Sequence, residues 1–352
     1  STIGNVGDLQ RDIISVDWDQ VRIGRAVSGL VAMLAVIAVV GLVGDVAFAA
    51  LMATLFVTAM GRSGSMSERL PGMIGFTIVG AALGGLAFFS VDNPFAVAFV
   101  LGIATYLGTL AAAAGPNAAR AGLYLTIWPL FAMMLGSGDT DPLTIVVAFL
   151  IGGGVAIAAT AIRLWLSSAK EADATKIAAD LEEGERDGRS IRVKLMASVS
   201  SPLGVFSLLR SAAVVMAVII GFWWFADYPL WVAITVIVVV RPSATQSVSV
   251  AVERTLGTAI GVGLAVVIAQ LLPEEEIAIA LAFLVSGALM LAFNNANYTL
   301  FATFLTATLL FGQRLIQADA FEAGWERLLA TGVGALIGLG IAAIAERFSF
   351  DS

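Results

Sequence analysis

The chain has no cysteine and no histidine among its 352 residues, and only 13% of them are charged. Without cysteine there is no disulfide framework and no thiol chemistry. Without histidine the chain also lacks the one side chain that titrates unperturbed near neutrality. Together these absences remove nearly every transition-metal site and every Ser-His or Cys-His nucleophile. No cofactor, no metal and no enzymatic activity are therefore expected. Any coupled proton would have to ride on a carboxylate whose pKa is raised by its surroundings. The net charge of −7 argues against nucleic acid as a partner.

What the chain has in abundance is apolar sequence, 59% of the residues with a mean hydropathy of +0.95. A soluble globule carries fewer apolar residues and about a quarter charged ones. Uncharged stretches of 19, 22, 21 and 19 residues follow Arg25, Arg69, Asp141 and Arg254, and a membrane span needs ~20. A β-barrel would alternate polar and apolar residues, whereas Val31 to Val43 and Val232 to Val240 are apolar on every side. The fold class that follows is an all-α integral membrane protein with about twelve transmembrane helices.

The twelve apolar runs fall near 26–43, 46–60, 70–89, 94–113, 121–136 and 143–165, then 210–226, 228–240, 255–272, 277–293, 298–312 and 328–345. Asn294 to Asn297 divides an uncharged run too long for one span, and Gly115-Pro116-Asn117 breaks the first half at the equivalent place. With a cytoplasmic N-terminus, 17 of the 19 Lys and Arg residues fall on the inner side, Arg314 and Arg327 being the two outside. That bias fixes an orientation with both termini cytoplasmic. The acids Asp45, Asp92, Asp139, Asp141 and Asp227 mark outer turns. The first apolar run starts late, is of span length and has no clear cleavage site after it, so it reads as a span and not as a leader.

The two halves echo each other. Asp45 to Gly85 and Asp227 to Ile268 each open on an acid, cross a short apolar run, pause at a polar break and resume behind a Glu-Arg pair. The breaks are Gly61-Arg62-Ser63-Gly64-Ser65 and Arg241-Pro242-Ser243-Ala244-Thr245, and the pairs are Glu68-Arg69 and Glu253-Arg254. Because six spans is an even number, the expected arrangement is two parallel six-helix repeats, 1–166 and 210–352, joined by a cytoplasmic connector at 167–209. Interrupted hydrophobic segments at matching positions of two halves point to a substrate site in transporters. Only 13 residues separate Asp227 from Arg241, too few for a ~30 Å core unless a broken continuation completes the span.

Candidate anion-binding residues are accordingly Arg254, Arg69, Arg241 and Arg62, with Ser243, Thr245, Ser63 and Gln246 at the breaks. Arg69 and Arg254 are expected at helix starts, where their charge adds to the positive end of the dipole; the competing use is to meet lipid headgroups. Glu326-Arg327 forms a third Glu-Arg pair, expected at the outer mouth. Glu253 and Glu326 are the proton-coupling candidates. Gly80-x-x-x-Gly84, Gly257-x-x-x-Gly261 and Gly334-x-x-x-Gly338 suit close helix packing. Asn294, Asn297 and Tyr298 either line a passage or cap helix ends, capping being the commoner role.

The segments Trp231 to Val239, Ser247 to Glu253, Arg254-Thr255-Leu256-Gly257-Thr258, Asn297-Tyr298 and Trp325 to Gly334 resemble the membrane domain of the fusaric-acid-resistance (FUSC) superfamily. That superfamily includes bacterial aromatic acid exporters and plant aluminium-activated malate channels. The resemblance covers residues 210 to 345, and reaches 22 to 165 only through the repeat. It implies that one chain supplies two six-span units around an anion path. Arg254 matches the family's basic residue at the start of the third span, and Arg69 matches it by repeat. The chain departs from the large bacterial exporters in lacking a sizeable soluble domain, and from the plant channels in lacking their C-terminal domain. The expected function is export of organic, aromatic carboxylates across a bacterial inner membrane, with the small anion and the lipid bilayer as partners and a homo-oligomer compatible with the glycine-rich faces. A passive organic-anion channel of the same fold and a non-transporting membrane scaffold are the alternatives.

Overall fold

The computed structural model describes residues 15–41, 45–60, 66–134, 141–168, 196–225, 228–271, 275–315 and 320–349. Among them the regular structure is helical. Six longer helices precede the 169–195 segment: α1 (Ile23–Val40), α2 (Asp45–Met60), α3 (Met66–Phe89), α4 (Pro94–Leu110), α5 (Pro116–Met134) and α6 (Pro142–Ser168). Six follow it: α7 (Pro202–Trp224), α8 (Trp231–Val239), α9 (Ala244–Leu271), α10 (Glu276–Phe293), α11 (Tyr298–Leu315) and α12 (Ala320–Ser349).

Eight of these, α1, α3, α4, α6, α7, α9, α10 and α12, are long and apolar enough to cross a membrane, which makes this a multi-pass membrane protein. The other four depart from the uniform set of spans expected from the sequence. α2 has 16 residues and α8 only nine, about 24 and 14 Å of helix. α5 carries Arg120 near its start, and α11 carries Thr299, Thr303, Thr306, Thr308 and Gln313 among its buried residues. The physical reason is enclosure. Every residue of α8 is buried, as is every residue of α2 from Ala47 onward, so these helices face protein and not lipid, and neither length nor an apolar outer face is demanded of them.

Packing is organised around these inner helices. α2 lies against α1 and α6, and α8 against α7 and α12; α3 lies against α5 and α6, and α9 against α11 and α12. α4 packs on α5 and α7, while α10 packs on α11 and α1. Glycine sets two of the closest approaches. A Cβ on Gly152 of α6 would stand 2.0 Å from the Ala50 carbonyl oxygen of α2, and one on Gly334 of α12 would stand 2.7 Å from the Val232 carbonyl oxygen of α8. Aromatic side chains fill the wider gaps: the Trp128 indole lies 4.1 Å from the Phe149 ring and donates from Nε1 to the Gly80 carbonyl at 2.8 Å.

The boundaries correct the sequence reading in two places. α7 starts at Pro202, so residues 202–209 belong to the helix and not to the connector; a proline without its N–H suits the first helical turn, where that donor has no partner in any case. The polar break after α8 is also shorter than its composition suggests. Only Val240 to Ser243 are outside helix, and Ala244 to Glu253 form the first turns of α9. Ser247 holds the break closed: its Oγ accepts from the Arg241 N–H at 3.0 Å and lies 3.0 Å from the Ser243 carbonyl. The matching break at 61–65 lies outside the described residues.

Candidate functional site

Between α2, α5, α8 and α11 lies a cavity of about 230 Å³. Its walls are largely apolar: Leu55 and Phe56 from α2, Ile127 and Phe131 from α5, Ile234 and Val238 from α8, Phe301 and Leu305 from α11. Its polar groups are Arg120, Tyr124, Arg241, Arg254, Asn294, Asn295 and Tyr298. Three guanidinium groups therefore meet in one space, and no carboxylate is among the described lining residues, although Glu253 is an electrostatic neighbour of Arg241 and Tyr298.

Each cation reaches the cavity by a different route. Arg120 stands one turn inside α5, after the Gly115 break, whose backbone at φ +108° favours glycine. Arg241 is held in the α8–α9 break by the Ser247 hydroxyl. Arg254 is the eleventh residue of α9, about 15 Å along it. The expected position at a helix start is thus overturned for Arg254, and the helix dipole contributes little there, because it acts only within the first turn. In its place is burial: Arg254 is 2% exposed, its Nε has no hydrogen-bond partner among the described residues, and its electrostatic neighbours include Tyr298 and Arg327. Opposite, the Tyr124 hydroxyl lies 3.4 Å from Asn294 Oδ1, bridging α5 to the α10–α11 turn at the polar end.

The other sequence candidates are scattered. Arg69 is half-buried in the first turn of α3 and is an electrostatic neighbour of Arg25, away from the cavity lining. Ser243 is half-buried in the break, while Thr245 and Gln246 are exposed on the first turn of α9; none of the three lines the cavity. Arg62 and Ser63 lie outside the described residues. Glu253 is half-buried and accepts from Ser249 Oγ at 2.7 Å, and Glu326 is half-buried on α12; neither lines the cavity. Arg327 does not form a second mouth. It is 2% exposed, stacks with its guanidinium 4.9 Å from the Trp231 ring centroid, and neighbours Arg254.

Sequence reasoning passed over Arg120, counted only as a sidedness marker, and Tyr124, one of only four tyrosines in the chain. The three residues left between lining and capping divide. Asn297 caps α11, accepting from the Leu300 N–H at 2.8 Å, while Asn294 and Tyr298 line the cavity.

A helical, multi-pass membrane protein with a cationic cavity among its inner helices is the class these features define. Residues 213–341, a little over a third of the chain, match the family described as fusaric acid resistance protein-like. No curated protein and no solved structure matches the chain.

Proposed function

We propose that the chain is a membrane transporter of organic anions, an exporter of aromatic carboxylates, and that the cavity among α2, α5, α8 and α11 holds the substrate. The observation that carries this reading is the lining: Arg120, Arg241 and Arg254 beside an apolar and aromatic wall, with no carboxylate among the described lining residues. A guanidinium grips a carboxylate through two parallel hydrogen bonds, and an aromatic body packs on Phe56, Phe131 and Phe301. At about 230 Å³ the cavity exceeds the ~150 Å³ that accommodates benzene in an engineered protein cavity. The family assignment of residues 213–341 supports the same reading.

The architecture belongs to this proposal: twelve spans as two parallel six-helix repeats, 1–166 and 210–352, about an axis normal to the membrane. It is supported by the matching neighbours of helices six apart, α2 with α6 as α8 with α12 and α3 with α5 as α9 with α11. It is supported too by the two glycine approaches, Gly152 on Ala50 and Gly334 on Val232, in which each second member lies 182 positions after the first. The Lys and Arg bias supports a bacterial inner membrane with both termini cytoplasmic.

Flux tests the proposal. Purified protein in liposomes should move benzoate-type acids faster than short aliphatic acids under an imposed proton or voltage gradient. Flux that only follows the anion's own gradient would make the protein a channel, and no flux above protein-free liposomes would return it to a scaffold.

A further inference from the structure

A second cationic space lies beside the first and is absent from the transport reading. It has a volume of about 350 Å³ and is bounded by Gly108 and Thr109 at the end of α4, Ala112 in the turn after it, Arg120 on α5, Phe206 and Arg210 on α7, and Arg241 with Pro242 in the break. Its three charged lining residues are all arginines.

Arg210 is the telling one. It is 8% exposed, on a helix that is otherwise a regular membrane span. Its Nη1 donates to Thr109 Oγ1 at 3.3 Å and its Nη2 to the Ile237 carbonyl, while its Nε has no partner among the described residues. Two of the five guanidinium N–H groups are thus satisfied, by neutral acceptors, and the charge itself is left without a counterion among the described residues. Holding a charge in such a place is costly unless an anion completes it. The helices that bound the space also carry exposed apolar side chains of the kind that face acyl chains, Leu107 on α4 with Val205 and Leu208 on α7.

We propose that this space is a second anion site that adjoins the substrate cavity and shares Arg120 and Arg241 with it, that it takes a phosphate group, and that Arg210 anchors that group. A phosphate can come from two sources, the headgroup of an anionic phospholipid or free inorganic phosphate, and both present oxygens that arginine binds bidentately. The site does not depend on the transport reading, because it is defined by binding alone.

The test is binding by the full chain. In native mass spectrometry from detergent, wild-type protein should retain phosphatidylglycerol over phosphatidylcholine. Arg120→Gln, a change at an exposed residue, should weaken that retention about fivefold, since a basic residue near anionic lipid contributes ~1 kcal/mol. Arg210→Gln should weaken it at least as much, Arg210→Lys should restore part of it, and Arg347→Gln should leave it unchanged. Radiolabelled inorganic phosphate, bound by delipidated protein with the same dependence on Arg210 and Arg120, would assign the site to the free anion; lipid retention without phosphate binding assigns it to a headgroup. If neither probe binds, or if Arg120→Gln and Arg210→Gln bind both as Arg347→Gln does, the site does not exist. Should Arg210→Gln fail to fold, the partial loss in Arg210→Lys decides, because Arg210, unlike Arg120, lines this space and not the substrate cavity.

Discussion

Arg254 is the residue on which the substrate site turns. It is buried, it lines the cavity, and its Nε is unsatisfied among the described residues. Removing one member of a desolvated charge pair costs ~2–5 kcal/mol, on the order of thirtyfold or more in affinity at ~1.4 kcal/mol per decade. Arg254→Ala should therefore lower anion flux at least thirtyfold in liposomes at limiting substrate. Arg254→Lys should recover only part of it, because an ammonium does not reproduce the planar fork. Arg347→Ala, at an exposed residue near the end of α12, is the control. Equal effects of the two alanine changes would reduce Arg254 to a topology anchor. The same assay separates residues that sequence grouped together: Thr245→Ala and Gln246→Ala should leave flux unchanged, and a tenfold loss in either would put the first turn of α9 back into the site.

At the scale of the element, the decisive feature is how α8 ends. A nine-residue helix stops at Val239, the chain turns through Pro242, and α9 begins at Ala244 with the Ser247 hydroxyl holding the Arg241 N–H. Ser247 is fully buried, so Ser247→Ala leaves a backbone donor unsatisfied at a cost of ~1–3 kcal/mol. It should lower the detergent melting temperature and weaken flux together, since it loosens the segment that carries Arg241. Melting unchanged beside wild-type flux would show that the break is held by other contacts. Close packing makes a second prediction. Gly152→Val places a side chain where the Ala50 carbonyl stands, and overpacking of this kind costs typically 1–3 kcal/mol. Gly263→Ala, where nothing lies within 4 Å, should melt no lower than wild type, because alanine is the better helix former. Equal melting of the two variants would contradict the α2–α6 contact.

For the whole molecule, the natural absence of cysteine is an experimental advantage, since a single introduced thiol labels without background. With the proposed sidedness, Asp141→Cys should react with a membrane-impermeant maleimide added outside intact cells, and Lys176→Cys only after the membrane is opened. The reverse pattern would invert the orientation, and labelling of both from outside would remove the parallel arrangement of the halves. Six helices on each side of the 169–195 segment, with neighbours that correspond at a spacing of six, give this prediction its structural footing.

Sequence by itself determined that this chain crosses the membrane many times as helices, because uncharged runs of span length admit little else, and it located the FUSC-like half through local motifs that survive in one dimension. It also pointed to Arg254 and Arg241, since interruptions in apolar sequence are visible without a fold. What only the tertiary structure decided is which helices turn inward. α2, α5, α8 and α11 converge through contacts between residues as distant as Tyr124 and Asn294, and no periodicity in a uniformly apolar helix such as α8 says which neighbour it will meet. Hence Arg120 and Tyr124 joined the cavity, Thr245 and Gln246 left it, and Arg327 moved from an outer mouth to the side of Arg254. In lipid, apolarity selects what may span, but packing and the pairing of buried polar groups select what faces what.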